Sequence, residues 1–556
     1  MASGRNITYS VIITVESQQS VGVLVDNTLF PLSPSSDCPI LFTGDAPESN
    51  EGYKYAKLNN GQVEEEEQFV RAPIHENTPN EFYNRTWNST NVAKLPSVLP
   101  PLPIIDRIES NLHVDNQIPT IHFSANQDEL DWMHTDVVNT VKVHADMTYI
   151  SLNDVKTIKG VEIKLSGRGS RLQLKVSYNV KIPKKDSLSG YRRLKLRGLV
   201  IDPSYIREHL TYDFMKSVGL PSTESSFVRV FINNKPSGLY GMIENYKNPW
   251  IKNEFGGGKR NDQGILYQGM ALGNMLKGPV SYACSDLGYR GADQELYADG
   301  TYRIKQEPNI DGPKDYTQLM ELTKFLAEAP STSVDALQLW QKHIDTECFV
   351  RSMVAEILLG LIDGYITFVD NYYLYFNPQD QRFVYLPSDV DGSFGCTTVK
   401  LSDMWSGNYR TYPGMELNRP LVQKMLEVPE LKQRFEHLLV ELCEKLFNLD
   451  VMNQRIDDLV NMIREDVAWD KSIVRSRPVP KKKESATSNS FKNEDLPPPF
   501  VPEVLADLVV RTTKSKISLD DAVNGPTGHI SLSGVKEWID RQSKATLAHF
   551  NASAPK

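Results

Sequence analysis

Four oxygen-bearing side chains in the second half of the chain stand in an order that suits metal-assisted chemistry. Asp363 closes the apolar run IDTECFVRSMVAEILLGLID, Asn371 follows in DNYYLYFN, and Asp389 and Asp391 lie in LPSDVDGSFG. An Asp at the end of a buried helix, an Asn soon after, a β-hairpin, then an Asp before a Gly-rich turn is the order of a phosphoryl-transfer catalytic loop and its metal-binding segment. In such a site one carboxylate orients an incoming hydroxyl. The Asn amide oxygen and a second carboxylate hold Mg²⁺, which neutralises charge on the transferred phosphates. The D-x-D-G run also suits a plain hairpin turn. A Ca²⁺ loop is a further alternative, although the twelve-residue EF-hand ligand pattern is missing.

A second group of residues lies two hundred positions upstream. Gly167-Arg168-Gly169-Ser170 interrupts two β-like runs, and Gly167 and Gly169 are free to take φ > 0 with backbone N–H groups turned toward phosphate. An ordinary hairpin turn reads the same way. Arg193, Lys195 and Arg197 share one face of the next run by the period of two. Lys195 on that face would reach phosphate oxygens and be held by a helix carboxylate, for which Glu208 is the natural partner. Three basic residues lining solvent is the plainer alternative.

These residues need elements to carry them. VEIKLSG (161–167), RLQLKVSYNVKI (171–182) and YRRLKLRGLV (191–200) read as strands. DPSYIREHLTYDFMKSVGL reads as a helix with Asp202 as N-cap and Pro203 as first helical residue. SSFVRVFINN and SGLYGMIENY read as a hairpin turning at Asn233-Asn234. Helices are expected at 316–328, 334–343 and 345–362, then the strand pair NYYLYFN and RFVYLP, with more helices to the end. Residues 6–71 carry short alternating runs (ITYSVIITV, SVGVLV, TLFPL, PILF, YKYAKL, EQFVRA), the pattern of a small antiparallel sandwich. Their Tyr and Phe residues suit its core, and less well a carbohydrate surface. Glu64–Glu67 reads as a solvated strand edge or loop.

The 556 residues are 40% apolar and 24% charged, with net charge −9. The apolar share is that of a folded chain, the acidic balance argues against a nucleic-acid binder, and no apolar run is long enough to span a membrane. Length alone suggests roughly three or four domains. Five scattered cysteines give no metal-ligand spacing and leave at least one free thiol. The opening MASGRNITYSV lacks the pattern of a secretory signal, and MASGR reads as an expression scar. Sequons occur at Asn6, Asn84, Asn88 and Asn551.

The segments GRGSR (167–171), LKLRGLVIDPSYIREHLTYDFMKSVGLP (194–221), SSFVRVFINNKPSGLYGMIENY (225–246), DGYITFVDNYYLYFN (363–377) and DVDGSFG (389–395) together resemble the spore coat protein H (CotH) kinase family. The N-terminal runs and WDKSIV (469–474) are most similar to cell-surface members from Mucorales fungi, whose homologues act as adhesins or invasins. The resemblance implies an α+β fold: a small N-terminal β-sandwich (1–75), a Pro-rich linker (76–103) and an atypical two-lobed kinase-like domain (104–550). Its N-lobe would cover about 118–250 and its helical C-lobe about 251–550, with a mobile loop at about 475–502. It implies Asp363 as catalytic carboxylate, and Asn371, Asp389 and the neighbouring Asp391 as metal ligands. Lys195 and Glu208 would be the phosphate Lys and its partner, Glu244 would lie at the hinge, and Gly167, Gly169 and Ser170 would cover the nucleotide. Asp370, beside Asn371, is expected to face away. The sequence departs from ordinary kinases in lacking a full G-x-G-x-x-G and an H-R-D. The activity implied is transfer from ATP, with Mg²⁺ or Mn²⁺, to Ser or Thr of a protein substrate. The alternative is a surface adhesin binding a host-cell receptor, and the location implied is extracellular or on a cell or spore surface.

Overall fold

A computed structural model describes residues 5–167, 169–270, 285–298, 301–475, 501–514 and 516–553. Residues 476–500, and with them Lys481–Lys483 and nearly all of the expected mobile loop, lie outside the described residues. The alternating runs at the start form β1 (Asn6–Ile12), β2 (Gln19–Val25), β3 (Thr28–Pro34), β4 (Leu41–Pro47), β5 (Tyr53–Asn59) and β6 (Gln62–Glu66). A seventh strand, β7 (Glu81–Phe82), comes from the Pro-rich stretch and pairs in parallel with β1. The order is β6-β5-β2-β3-β4-β1-β7, one continuous sheet. It folds back on itself: Tyr9 of β1 and Tyr53 of β5 are not on adjacent strands, yet their rings meet at 5.1 Å around a core with Val11, Val21 and Val23. The last strand falls at Gln62–Glu66 rather than in EQFVRA, because Glu67 turns inward to bind Arg71 at 2.7 Å. Glu64 and Glu65 remain exposed on the sheet edge, whereas Glu67 is buried.

Seven strands then close into a barrel. They are β8 (Thr120–Ala125), β9 (Val143–Ile150), β10 (Val155–Leu165), β11 (Tyr178–Lys181), β12 (Arg193–Arg197), β13 (Ser225–Ile232) and β14 (Lys235–Glu244), in the order β10-β11-β12-β14-β13-β8-β9. Alternation decides what faces inward: Ile163, Val180, Leu194 and Leu196 fill the interior, so Lys195 and Arg197 project outward. The β13–β14 turn at Asn233-Asn234 has φ of 46° and 64°, as a two-residue hairpin requires. The run 171–182 yields only the short β11, preceded by a 3₁₀ turn at Gly169–Leu172. The helix after β12 begins at Arg207, not Pro203. Asp202 instead caps the turn before it, accepting from the N–H groups of Ser204 and Arg207, both at 2.9 Å.

The remainder is a helical body around a four-stranded sheet of β15 (Leu266–Gly269), β16 (Tyr302–Gln306), β17 (Tyr372–Asn377) and β18 (Arg382–Pro387), in the order β16-β15-β17-β18. Helices occur at Thr317–Glu328, Ala336–His343 and Thr346–Leu359, as the periodicity predicts. The long helix Leu449–Ser472 fastens the first sheet and the barrel together through two buried carboxylates. Asp466 binds Arg229 of β13, whose guanidinium lies 3.4 Å from the Phe82 ring centre and 4.6 Å from that of Trp469. Asp470 binds Lys175 at 2.8 Å and accepts from the Leu239 N–H and the Tyr205 hydroxyl, both at 2.8 Å. WDKSIV is therefore a fastening point between the long helix, the barrel and β7. Among the described residues, Cys38, Cys348, Cys396 and Cys443 are buried free thiols, and no helix is long and apolar enough to cross a membrane.

Candidate functional site

The site forms where the outward face of β12 meets the loops after the Thr346–Leu359 helix and after β18. That helix ends at Gly360, in the left-handed conformation with φ 66°, so the chain can turn at once toward Asp363. The Ile362 N–H binds the Gly392 carbonyl at 3.2 Å and the Ser388 N–H binds the Asn371 carbonyl at 2.9 Å. These two bonds bring Asp363, Asn371 and the Asp389–Asp391 pair together. Val369, Asn371, Asp389 and Phe394 all hold positive φ, a concentration of backbone strain of the kind that functional sites retain.

Arg197 is the electrostatic centre. Its Nε donates to Glu208 at 2.9 Å, and its two terminal nitrogens pair with Asp389 and Asp391. Lys195 Nζ adds a contact to Asp389 at 3.1 Å. Burial works against the Asp389 carboxylate, but Arg197 and Lys195 outweigh it and hold its pKa below the ordinary value. Burial prevails at Glu208, pushing it up to about 7 despite Arg197, and it also raises Asp391. One buried Glu208 oxygen, Oε1, has no hydrogen-bond partner among the described residues.

A cleft of about 300 Å³ gathers most of the predicted residues. Gly167, Ser170 and Arg197 line it from the barrel, and Asp363, Asn371, Asp389 and Asp391 line it from the opposite side. Gly167 has φ +82°, and a Cβ there would fall 1.9 Å from Ser170 Oγ, so the turn needs glycine. Gly169 opens the adjoining 3₁₀ turn; Arg168 lies outside the described residues. A larger cavity, about 670 Å³, lies beyond the other side of the Glu208 helix, among Asn91, Leu95, His113, Asp213 and Lys216. It contains none of the predicted site residues.

Two expectations are corrected by the geometry. Glu208 pairs with Arg197, not Lys195, because Arg197 stands nearer the helix on the same strand face. Asp370 does not face away: it lines the cleft, and its carboxylate accepts the Asn371 N–H at 3.0 Å. Glu244 is the last residue of β14, where its carboxylate accepts from the Asn253 amide at 2.8 Å, and it is buried outside the Arg197 cluster. Lys175, a possible alternative to Lys195, does line the cleft, but its ammonium is committed to Asp470 and the Leu239 carbonyl.

Glu356, which sequence reasoning passed over, shapes the loop after Asp363. Its buried carboxyl accepts the Ile366 N–H at 2.5 Å, while Arg419 donates to the carbonyls of Ile366 and Thr367 at 2.5 and 2.7 Å. An acid and a cation thus grip the same short stretch, Ile366-Thr367. Glu356 sits in the apolar stretch Met353–Leu359, where a charged residue is itself a signal of a buried polar role.

Among the described residues, no three His, Cys, Asp or Glu side chains gather closely enough to hold a metal by themselves. Asn371, Asp389 and Asp391 line one cleft, and an Asn with two Asp residues is a hard oxygen set of the kind Mg²⁺ or Mn²⁺ takes.

The model of the CotH kinase protein family matches residues 163–490, which hold all of these groups. The chain belongs to that family. This CotH chain is 26% identical over 483 residues to "Invasin CotH7" of Rhizopus delemar, covering 85% of this chain and 76% of that one. It is 26% identical to "Spore coat protein homolog 1" of the same organism, over 84% of this chain and 73% of the relative. "Inner spore coat protein H" of Bacillus subtilis is 23% identical over 316 residues, covering 56% of this chain and 79% of that protein.

Proposed function

We propose that this CotH chain is an atypical, divalent-metal-dependent protein kinase that transfers phosphate from ATP to Ser or Thr. The observation that carries this reading is the convergence of Asp363, Asn371, Asp389 and Asp391 with Gly167, Ser170 and Arg197 in one cleft between the barrel and the helical body. In this reading the barrel and the helical body are the two lobes. Asn371, Asp389 and Asp391 would hold Mg²⁺ or Mn²⁺, and the metal would supply charge neutralisation on the nucleotide phosphates.

The chain's own residues do the rest. Asp363, half-buried at the cleft wall, accepts the proton of the incoming hydroxyl and orients its oxygen. Lys195 and Arg197, which hold the Asp pair, also offer donors to phosphate oxygens, and Glu208 keeps Arg197 in place. Gly167 and Ser170 close the cleft from above. A melting-temperature rise with Mg·ATP or Mn·ATP, together with labelling of a Ser-rich protein, tests the assignment. No shift and no transfer with either metal would end it.

The invasin relatives, which match over most of this chain, support a second reading: a surface adhesin that binds a host-cell receptor, with the cleft serving as scaffold. Receptor or cell binding that survives Asp389→Ala unchanged would favour it. The names of the invasin and spore coat relatives support a location outside the cell or on a cell or spore surface.

A further inference from the structure

Beside the cleft, cations of the barrel and of β16 come together around the stacked rings of Tyr246 and Tyr373, 5.1 Å apart, and among the described residues none of Lys164, Arg193, Lys247, Arg303 and Lys305 stands in an ion pair. On the barrel, register puts Lys164, Asn179 and Lys195 in one outward cross-strand row, with Arg193 in the next. Lys247 lies just past β14, next to Asn245 and Tyr246, where the Asn245 N–H binds the Arg193 carbonyl at 2.8 Å. Across the mouth, Arg303 and Lys305 alternate along β16; Lys305 Nζ sits 5.5 Å from the Tyr373 ring centre and donates to Gln268 at 2.5 Å.

These groups feel one another. Burial, then Lys247, Arg303 and Lys195, push the Lys305 ammonium down to about 7, with Asp389 opposing. Burial, then Lys164, Arg193 and Arg303, lower Lys247, with Glu162 opposing. Among the described residues, the buried Arg193 Nε meets no acceptor. The nearby carboxylates are already engaged: Glu162 lies between Lys142 and Lys181 at 3.5 and 3.8 Å, and Asp389 is taken by Lys195 and Arg197. Like charges gathered in this way raise the free energy of the empty protein, and a bound anion offsets that cost.

We propose that Lys164, Arg193, Lys247, Arg303 and Lys305 form a binding site for a small polyphosphate anion at the mouth of the cleft. A single phosphate would leave most of these cations unbalanced, whereas a chain of linked phosphates can touch both surfaces at once. Two sources share this chemistry: the triphosphate of a nucleotide seated in the cleft, and a free polyphosphate.

Calorimetric titration of the full chain with inorganic tripolyphosphate tests the site, alongside the double variant Lys247→Gln/Lys305→Gln. Wild type is expected to bind, and the double variant to bind at least tenfold more weakly. The ligand-free variant should also melt at a higher temperature, because like-charge repulsion is relieved. Displacement of tripolyphosphate by ATP would assign the site to the nucleotide; binding unaffected by ATP would assign it to a free polyphosphate. No binding by wild type, equal binding by the variant, or equally tight binding of a poly-glutamate peptide would overturn the proposal. The phosphoryl-transfer reading rests instead on Asp363, Asn371 and Asp389 and is read separately by labelling from ATP, so labelling by wild type alongside such a failure would overturn this site alone.

Discussion

Arg197 of the barrel and Asp389 of the helical body, 192 residues apart in sequence, form an ion pair across the cleft. The same guanidinium also reaches Asp391 and Glu208, so one cation answers three carboxylates. Removing it leaves Glu208 buried without its counter-charge. Arg197→Met is expected to cost about 3–5 kcal/mol, the usual penalty for stranding a buried ion. Arg197→Lys keeps the charge but loses the fork that spans three partners, and should recover only part of that stability. Urea unfolding of the two variants measures both; equal stability of wild type and Arg197→Met would refute the hub role.

Asp466 holds a comparable place away from the cleft. It binds Arg229 at 2.5 Å and lies 3.6 Å from Arg85, and all three are buried. Asp466→Ala should therefore destabilise by about 3–5 kcal/mol. Asp389→Ala should cost less, because Asp389 is half-exposed and Arg197 keeps two other partners. Denaturant midpoints rank the two, and the reverse order would show that the long helix is not the main fastening.

Glu356 predicts a pH dependence of stability. Burial pushes its carboxyl from 4.5 up to about 8 in the folded chain, against the opposing hydrogen bonds of Ile366 and Tyr365. The folded state thus retains a proton that the unfolded chain releases near pH 4.5. Its contribution is complete below that pH and is lost as pH rises to about 8, by an amount on the order of a few kcal/mol. Glu356→Gln cannot titrate, so its melting temperature should fall less than that of wild type between pH 5 and pH 8.5. Parallel curves would contradict the assignment.

Lys195 and Lys175 both border the cleft region but differ in their partners. Lys195 holds Asp389, whereas Lys175 is buried against Asp470. Lys195→Ala should raise the apparent KM for ATP severalfold with little loss of stability. Lys175→Ala should do the opposite, lowering the melting temperature through the stranded Asp470. Steady-state kinetics and melting curves on the pair separate these roles.

Much of the candidate site was legible because it depends on local order. An Asp after an apolar helix, an Asn before a strand and an Asp pair before Gly392 keep their meaning wherever the strands go. The Asn233-Asn234 turn and the helices at 317–359 were legible for the same reason. What was hidden depends on contacts between distant segments. Arg197 and Lys195 share a strand face, so periodicity alone could not say which meets Glu208. Glu67 interrupts an acidic run that looks uniformly solvated, and its burial follows only from Arg71 folding back over the sheet. Asp370 lines the cleft because Val369 and Asn371 adopt positive φ, a backbone choice that their side chains do not announce.

Phosphate transfer from γ-labelled ATP to a Ser-rich protein, compared between wild type and Asp389→Ala with Mg²⁺ and with Mn²⁺, tests the central claim most directly. The account predicts labelling by wild type with at least one metal, and a loss of two or more orders of magnitude in the variant, with both chains folded. Equal labelling by the two chains, or none by folded wild type under either metal, would contradict it.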